Sequence, residues 1–220
     1  MKNLIVLFFL VLINASFPQS IILRDTTNQY DYIIITVPEF VQSCETFKQH
    51  KESYNGFNVL IVDTGQIFNE FNSDSLPQNN IREFISYAGT YWQNPKLKYV
   101  LIIGNVNAVP NFHIQQPFPE YNPYHQTDYY YSINLYESDT LTTEFNIGRL
   151  PAVLSDEITN YFDKVMWYEN NNQLYNWMNT NLFLCEDEEM LSFLEHSQAI
   201  AQRLPRNFQK KHIEDTDSSE

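Results

Sequence analysis

Cysteine, glycine and positive charge are all scarce in this chain of 220 residues. Two cysteines are too few for a disulfide-stapled scaffold, so the fold has to depend on an apolar core. Five glycines disfavour phosphate-cradling loops, and the sequence contains no P-loop, GxGxxG or GxSxG motif. These absences exclude nucleotide hydrolases, dinucleotide enzymes and serine hydrolases of the nucleophile-elbow type.

The charge balance excludes a further set of partners. Thirteen Lys and Arg residues against 27 Asp and Glu residues give a formal net charge of −14. A field of that sign repels nucleic-acid phosphates and anionic lipid surfaces, so we expect neither as a partner. What the chain does have is a hydrophobic content of 43% with 15% aromatic residues, enough for a sizeable core.

The N-terminus carries a short apolar segment. Lys2 precedes the run Leu4 to Ile13, and the small residues Ala15 and Ser16 follow. The run is about half of the roughly 20 residues that a membrane-spanning helix needs, which favours a signal peptide over an anchor. We therefore predict a signal peptide over residues 1–20, a protein that is secreted or at the cell surface, and no stable membrane span after cleavage.

Three continuous apolar runs alternate with helical patterns in the first half of the chain. The runs are 32–37 (YIIITV), 57–62 (FNVLIV) and 98–104 (KYVLIIG), each typical of a strand buried on both faces. Between them, apolar residues recur at helical spacing, most regularly over Ile81, Phe84, Ile85, Ala88, Tyr91 and Trp92. Short connections imply right-handed βαβ crossovers, so the predicted fold class is α/β, a parallel sheet with helices on both faces.

Periodicity disappears over residues 105–136 and then resumes. We predict a strand at 145–150, a helix opened by Ser155 that buries Ile158, Tyr161, Phe162 and Val165, and a strand–helix–strand series at 182–185, 187–204 and 211–214. Long irregular segments inside an α/β domain are usually functional. The predicted division is a first α/β subdomain at 21–136, which carries a Tyr/Pro-rich loop, and an incomplete second subdomain at 137–220.

Neither cysteine has the sequence context of a nucleophile. Cys44 lies on the apolar stripe of a helix, where a buried structural thiol is expected. Cys185 ends a strand at the favoured edge of the sheet, but the acids at 186–189 would raise its pKa. No histidine is paired with it by sequence, and Cys185 with His212 would be a poor substitute for a dyad. That acidic run is consistent with calcium binding or simply with a helix N-terminus, and the spacing of His113 and His125 is not a zinc pattern.

Carboxylates and aromatics concentrate between residues 127 and 151. The segment TDYYY at 127–131 is followed by Glu137, Asp139 and Glu144, and Arg149 is able to anchor a carboxylate bidentately. These residue types suit a groove for a basic or extended peptide, and they suit equally the structural packing of a Tyr-rich loop.

The order of motifs resembles the catalytic domain of the gingipain-type secreted cysteine peptidases. The resemblance runs from about Tyr32 to Asp215 and rests on YIIITVPEF, GFNVLIVD, FNEF, IREFISYAGTYW, KYVLIIGN, TDYYYS, NIGRLPA and WYEN. It implies a caspase-like fold, protein or peptide substrates, and a Cys/His dyad in which a His-Gly loop and a later strand end supply the two residues. Asp128 and Asp139 fall in the region that contributes to the cleft in that family, and we take both as substrate-cleft candidates.

The sequence departs from the family pattern in two places. It contains no His-Gly pair, so we expect the dyad beyond Glu220 and no catalytic residue within this fragment. Asn105 stands where the family commonly has Gly-Asp, and the lost charge is expected to weaken a calcium or structural role there. The predicted function is a secreted cysteine endopeptidase whose first part is this chain, with calcium the one cofactor left open. The alternatives are a non-catalytic secreted α/β binding or scaffold module and, with no ligand spacing to support it, a metal-dependent hydrolase.

Overall fold

The computed structural model describes residues 21–115, 124–136, 142–171, 175–186 and 193–215. The strands are β1 (Tyr32–Thr36), β2 (Val59–Asp63), β3 (Tyr99–Ile103), β4 (Phe112–Gln115), β5 (Tyr124–Thr127), β6 (Asn146–Leu150), β7 (Thr180–Glu186) and β8 (Gln209–Asp215). The α-helices are α1 (Val41–Asn55), α2 (Thr64–Glu70), α3 (Pro77–Tyr91), α4 (Ser155–Asn170) and α5 (Phe193–Arg203). Over the described ranges, no helix is both long and apolar enough to span a bilayer.

A four-stranded parallel sheet forms the centre of the fold. Its strand order is β2-β1-β3-β6, with Tyr32 of β1 opposite Val59 on one side and Tyr99 on the other. Among the described strands, β6 pairs with β3 alone, and Leu101 lies opposite Gly148. The apolar runs form this sheet because both of its faces are covered by helices. The predicted caspase-like α/β fold is confirmed.

Alternate residues of each strand enter two separate cores. On one face, Ile33 and Ile35 pack with residues of α2 and α3, including Ile67 and Phe84. On the other face, Ile34 packs with residues of α1 and α4. There the rings of Phe47 and Phe162 stack with their centroids 4.0 Å apart and an interplanar angle of 2°. Because successive side chains of a strand point to opposite faces of the sheet, each side chain belongs to one of the two cores.

The segment that precedes β1 closes the α2–α3 side of the sheet. Leu23 is fully buried, and its backbone amide and that of Arg24 donate to the Glu70 carboxylate at 2.8 and 3.0 Å. The indole Nε1 of Trp92 donates to the Leu23 carbonyl at 2.9 Å, and the Arg24 guanidinium lies 4.0 Å from the centroid of the Phe71 ring. This segment is thus fixed by both polar and apolar contacts from residue 21 onward.

The structure differs from the sequence prediction in two details. Within 105–136, β4 and β5 form an antiparallel pair and Tyr129–Ser132 forms a 3-10 helix, so the predicted loop is partly regular. Tyr91 and Tyr161, expected on buried helix faces, are 46% and 42% exposed because the buried stripe of each helix is narrower than its apolar pattern. The predicted signal peptide at residues 1–20 lies outside the described residues.

The chain separates into two compact units, Met1–Met166 and Trp167–Glu220. The first contains the four-stranded sheet. In the second, β7 and β8 pair in parallel and α5 packs against β7. Strand β6 belongs to the first unit because it pairs with β3, and the predicted division into subdomains at residue 136 stays a prediction.

Gly89 of α3 offers a test of the packing between this helix and the segment that leads into β6. A Cβ at position 89 would lie 2.5 Å from two ring atoms of Phe145, whose side chain is buried. Although Ala is the better helix former, we expect Gly89→Ala to lower the free energy of unfolding by about 1–3 kcal/mol, because the ring has to move. Urea unfolding monitored by circular dichroism measures the change.

Gly148→Ala is the matched control for that measurement. A Cβ at position 148 would lie 3.8 Å from Leu101 Cδ1, an ordinary van der Waals distance, so we expect a change within about 0.5 kcal/mol. Equal effects of the two substitutions would contradict the proposed clash.

Candidate functional site

The carboxyl edge of the parallel sheet brings two loops to one strand end. Strand β3 leads into Gly104 and Asn105, and its neighbour β6 carries Arg149 in register with Ile102. Sites in open α/β sheets form at this edge, because the chain leaves adjacent strands there in different directions. Arg149 is at the centre of this edge.

Arg149 and Asp128 form a bidentate ion pair. The Nε atom of Arg149 donates to Oδ2 of Asp128 and the Nη2 atom donates to Oδ1, both at 2.7 Å. The two side chains are only 11% and 22% exposed. The planar guanidinium matches the carboxylate in geometry and charge, so both oxygens of Asp128 are engaged within the chain.

The remaining nitrogen of Arg149 holds the loop that follows β3. Its Nη1 atom donates to the carbonyl oxygens of Gly104 at 2.8 Å and Val109 at 2.9 Å, with Asn105 O at 3.4 Å. Gly104 has a φ of 125°, which a residue with a Cβ rarely adopts. This glycine therefore turns its carbonyl into reach of Arg149. One side chain fixes β6, the 104–109 loop and the start of the 3-10 helix at Tyr129.

Asn105 stabilises the same loop from within. Its Oδ1 atom accepts the backbone amides of Asn107 and Ala108 at 3.0 and 3.1 Å. A neutral amide oxygen thus caps the turn, so the structural role that the lost charge was expected to weaken is retained.

A cavity of about 360 Å³ adjoins this ion pair. Its lining residues are Asp128, Tyr129, Ser132, Thr143, Phe145, Asn146 and Ile147. Behind it, the buried Tyr131 hydroxyl donates to the Pro110 carbonyl at 2.6 Å, and burial raises the pKa of Tyr131 well above its usual range. The volume is within the range of small-ligand sites. Asp128 lines the cavity, but its charge is neutralised by Arg149.

The other acidic residues of the 127–151 segment are Glu137, Asp139 and Glu144, and the described residues that line this cavity do not include them. Asp139 and Glu137 lie outside the described residues. Glu144 accepts a hydrogen bond from the Asn134 side-chain amide at 2.9 Å, and Asn134 also donates to the hydroxyl of Thr90. Glu144 therefore supports the buried loop, and the substrate-cleft role of Asp139 stays a prediction.

Cys44 is fully buried in the core between the sheet and α1. Its Sγ atom donates to the Phe40 carbonyl at 3.3 Å. Burial, with a smaller contribution from the charge of Glu45, raises the pKa of Cys44 from 9.0 to about 12. A thiol with that pKa is protonated at neutral pH, which agrees with a structural role.

In the second unit, Cys185 and His212 lie on neighbouring strands without a hydrogen bond between them. The register pairs Cys185 with Glu214 and His212 with Phe183, and the imidazole stacks on the Phe183 ring at a centroid distance of 4.9 Å. The Cys185 Sγ atom lies 4.0 Å from the Ile213 carbonyl oxygen. The described residues thus contain no hydrogen-bonded Cys–His pair.

No metal centre is evident among the residues that the structure describes. The described ranges contain no group of three or more His, Cys, Asp or Glu side chains that could hold an ion. Residues 187–189 of the acidic run lie outside these ranges, so calcium binding there stays a prediction.

The contacts of Arg149 with the Asp128 carboxylate and with the Gly104 and Val109 carbonyls form a clamp at the sheet edge, and Arg149→Lys tests it. A lysine cannot reproduce the planar fork, and it leaves Asp128 and the two loop carbonyls with fewer donors. We expect a loss of about 2–5 kcal/mol in the free energy of unfolding, measured by urea denaturation. The double variant with Arg149→Lys and Asp128→Asn should lose less free energy of unfolding than the sum of the two single losses, because both substitutions break the same interaction.

Glu52→Gln supplies the control for an exposed ion pair. Glu52 and Lys48 are 4.0 Å apart at the surface of α1, and we expect a change below about 0.5 kcal/mol. Additive effects of the Arg149 and Asp128 substitutions would argue against the clamp.

Alkylation distinguishes the two cysteines. At pH 8, four units below the pKa of Cys44, about one thiol in 10⁴ is ionised. We expect iodoacetamide to modify the partly exposed Cys185 and to leave Cys44 unmodified until urea unfolds the chain. Peptide mapping by mass spectrometry reads out both sites, and rapid modification of Cys44 in the native protein would contradict its burial.

Comparison with solved structures places this geometry in a known fold. The chain matches the complex of RgpB pro- and mature domains from Porphyromonas gingivalis with a TM-score of 0.64 and 19% identity, over 84% of this chain and 42% of that chain. It matches the Arg specific cysteine proteinase gingipain R (RgpB) with the same TM-score, identity and coverage of this chain, and covers 40% of that chain. Dimeric latent PorU from P. gingivalis matches with a TM-score of 0.50 and 18% identity, over 63% of this chain and 15% of that chain.

Comparison with sequences was made with individual curated proteins and with family models. No curated protein matches the chain. The chain spans about two fifths of the two gingipain structures that it matches. The family model of peptidase family C25, in contrast, matches residues 25–219, almost all of the residues described above. The chain belongs to peptidase family C25.

Proposed function

We propose that the chain is the first part of the catalytic domain of a secreted bacterial cysteine endopeptidase of the gingipain type. The observation that carries the proposal is the family match over residues 25–219. The fold shared with the gingipain structures supports it. The dyad is supplied by residues that follow the matched region, because the described residues contain no hydrogen-bonded Cys–His pair.

In such an enzyme, a cysteine thiolate attacks the peptide carbonyl, the amine leaves, and water hydrolyses the acyl-enzyme. This chain contributes position and shape to that reaction. Arg149 holds the 104–109 loop and Asp128 against the end of β6, and it does so with strong hydrogen bonds that leave little freedom. The sheet edge therefore presents a rigid wall to the cleft.

Asp128 and Asp139 have different parts in this proposal. Because both oxygens of Asp128 bind Arg149, Asp128 shapes the cleft and does not hold a basic substrate side chain. Asp139 stays the candidate for substrate contact. The net charge of −14 favours the approach of basic peptides to the protein as a whole.

The alternative function is a non-catalytic secreted binding or scaffold module. The observation that favours it is the state of the two cysteines: Cys44 is buried and protonated, and Cys185 lacks an imidazole partner among the described residues. A module needs no dyad, and the cavity beside Asp128 would then be its ligand site.

Expression of the full natural reading frame beside the 220-residue chain tests these functions. The substrates are arginyl and lysyl fluorogenic peptides, with and without iodoacetamide. We expect alkylator-sensitive cleavage by the full frame and less than about 1% of that activity from the 220-residue chain, because the dyad contributes several orders of magnitude to the rate.

Cys185→Ala in the full frame is the matched control. It should keep activity within about twofold, since Cys185 is not the nucleophile in this proposal. Cleavage by the 220-residue chain that Cys185→Ala abolishes would overturn the assignment of the dyad to later residues. A full frame without turnover, a His-Gly pair or a later cysteine would establish the module.

A further inference from the structure

A second cavity of about 360 Å³ lies at the N-terminal half of α3. Its lining residues are Ser73, Asp74, Asn79, Arg82, Glu83 and Leu135. All belong to the first compact unit, and none takes part in the clamp around Arg149. The cavity combines three charged side chains with one apolar side chain, Leu135, which is 44% exposed.

Arg82 is a half-buried cation without a hydrogen-bonding partner among the described residues. Its Nε atom is closed to solvent and has no acceptor. The guanidinium lies over the face of the Tyr130 ring, 5.7 Å from its centroid, and Tyr130 in turn packs on Phe112. The ring thus contacts the guanidinium without using its hydrogen-bond donors. Burial lowers the pKa of Arg82, which reflects the lost hydration of the charge.

The two carboxylates of the cavity are already engaged by other groups. Glu83 accepts hydrogen bonds from the Arg24 guanidinium at 3.3 Å and from the Ser73 hydroxyl. Asp74 accepts the Leu76 amide and the Asn79 side-chain amide, both at 2.8 Å. Arg82 is therefore the group in this cavity whose hydrogen-bonding capacity is not used. A desolvated charge without an acceptor is unfavourable, and a bound anion would relieve that cost.

We propose that this cavity binds the C-terminal end of a peptide, with the terminal carboxylate on Arg82 and the last, apolar side chain on Leu135. The planar fork of arginine matches a carboxylate, and its position over Tyr130 is preorganised for that contact. A doubly charged phosphate suits the cavity less well, because Asp74 and Glu83 lie in the same lining and repel it. The volume fits one terminal residue. The inference rests on described residues alone and is independent of the proposed peptidase activity.

Isothermal titration calorimetry of the 220-residue chain tests this site with three probes. N-acetyl-leucine carries the carboxylate and the apolar side chain, N-acetyl-leucinamide lacks only the charge, and inorganic phosphate supplies charge without the side chain. We expect N-acetyl-leucine to bind with a Kd on the order of 1 mM and the other two to bind at least about tenfold more weakly.

Arg82→Gln should weaken the binding of N-acetyl-leucine at least about tenfold, and Leu135→Ala should weaken it a few-fold. Arg206→Gln removes the same charge from an exposed site in the second unit and should leave binding unchanged. Because Arg82 makes no ion pair with any residue that the structure describes, we expect Arg82→Gln to keep the melting temperature of the parent chain. If it does not fold, Arg82→Lys, which keeps the charge without the fork, should show a partial loss of binding.

Three results would overturn the proposal. Equal binding of N-acetyl-leucine by the parent chain and a folded Arg82 variant would exclude Arg82 as the anchor. Equal binding of the amide would exclude the carboxylate, and tighter binding of phosphate would make the site one for inorganic anions. Absence of measurable binding of N-acetyl-leucine at about 10 mM would exclude the site altogether.

Discussion

The bidentate bond between Arg149 and Asp128 is the constraint on which the functional edge of this fold depends. Strand β6 is at the edge of the four-stranded sheet, beside β3. Backbone hydrogen bonds from the Gly104 and Asn105 amides to the Leu150 and Ala152 carbonyls join the 104–109 loop to the end of β6, and the Arg149 side chain adds the link to Asp128, which precedes the 3-10 helix at Tyr129. A guanidinium can hold these segments together because its donors lie in one rigid plane and reach a carboxylate and two carbonyls at once. Lysine offers no such fork, and an apolar residue would leave the carbonyls unsatisfied.

The parallel sheet and its helices were predictable because each element carries its own signal. Strands β1, β2 and β3 are short apolar runs that satisfy burial on both faces, and α3 repeats apolar residues at helical spacing. The β4–β5 pair carried only a weak signal. Strand β4 (FHIQ) alternates apolar and polar residues over just four positions, β5 (YHQT) has no clear alternation, and the antiparallel pairing of Phe112 with Thr127 is a tertiary property. The exposure of Tyr91 and Tyr161 has the same origin, since periodicity gives the direction of a helix face but not its width.

The candidate site was predictable in its parts and not in its pairing. The sequence offered Asp128 as a substrate-cleft candidate and Arg149 as a residue able to bind a carboxylate. That they bind each other, across 21 residues, follows from the register of β6 against β3 and from the turn at Gly104. Arg82 gave no signal at all. It lies in the most regular helix of the chain, and what distinguishes it is the absence of an acceptor in three dimensions, which no pattern in the sequence encodes.

The two arginines show how the same side chain can serve stability or recognition. Both are partly removed from water, and that removal costs free energy in each case. At Arg149 the cost is offset inside the chain, because a carboxylate and backbone carbonyls take up the donors, so the group adds rigidity and has little capacity left for a ligand. At Arg82 the nearby carboxylates are held by Arg24, Ser73, Asn79 and a backbone amide, and apart from the contact with the Tyr130 ring no described residue offsets the cost by accepting a hydrogen bond from the guanidinium. A cation left in that state gains more from an incoming carboxylate than a solvated one does, since the hydration that such a ligand must displace is already partly lost.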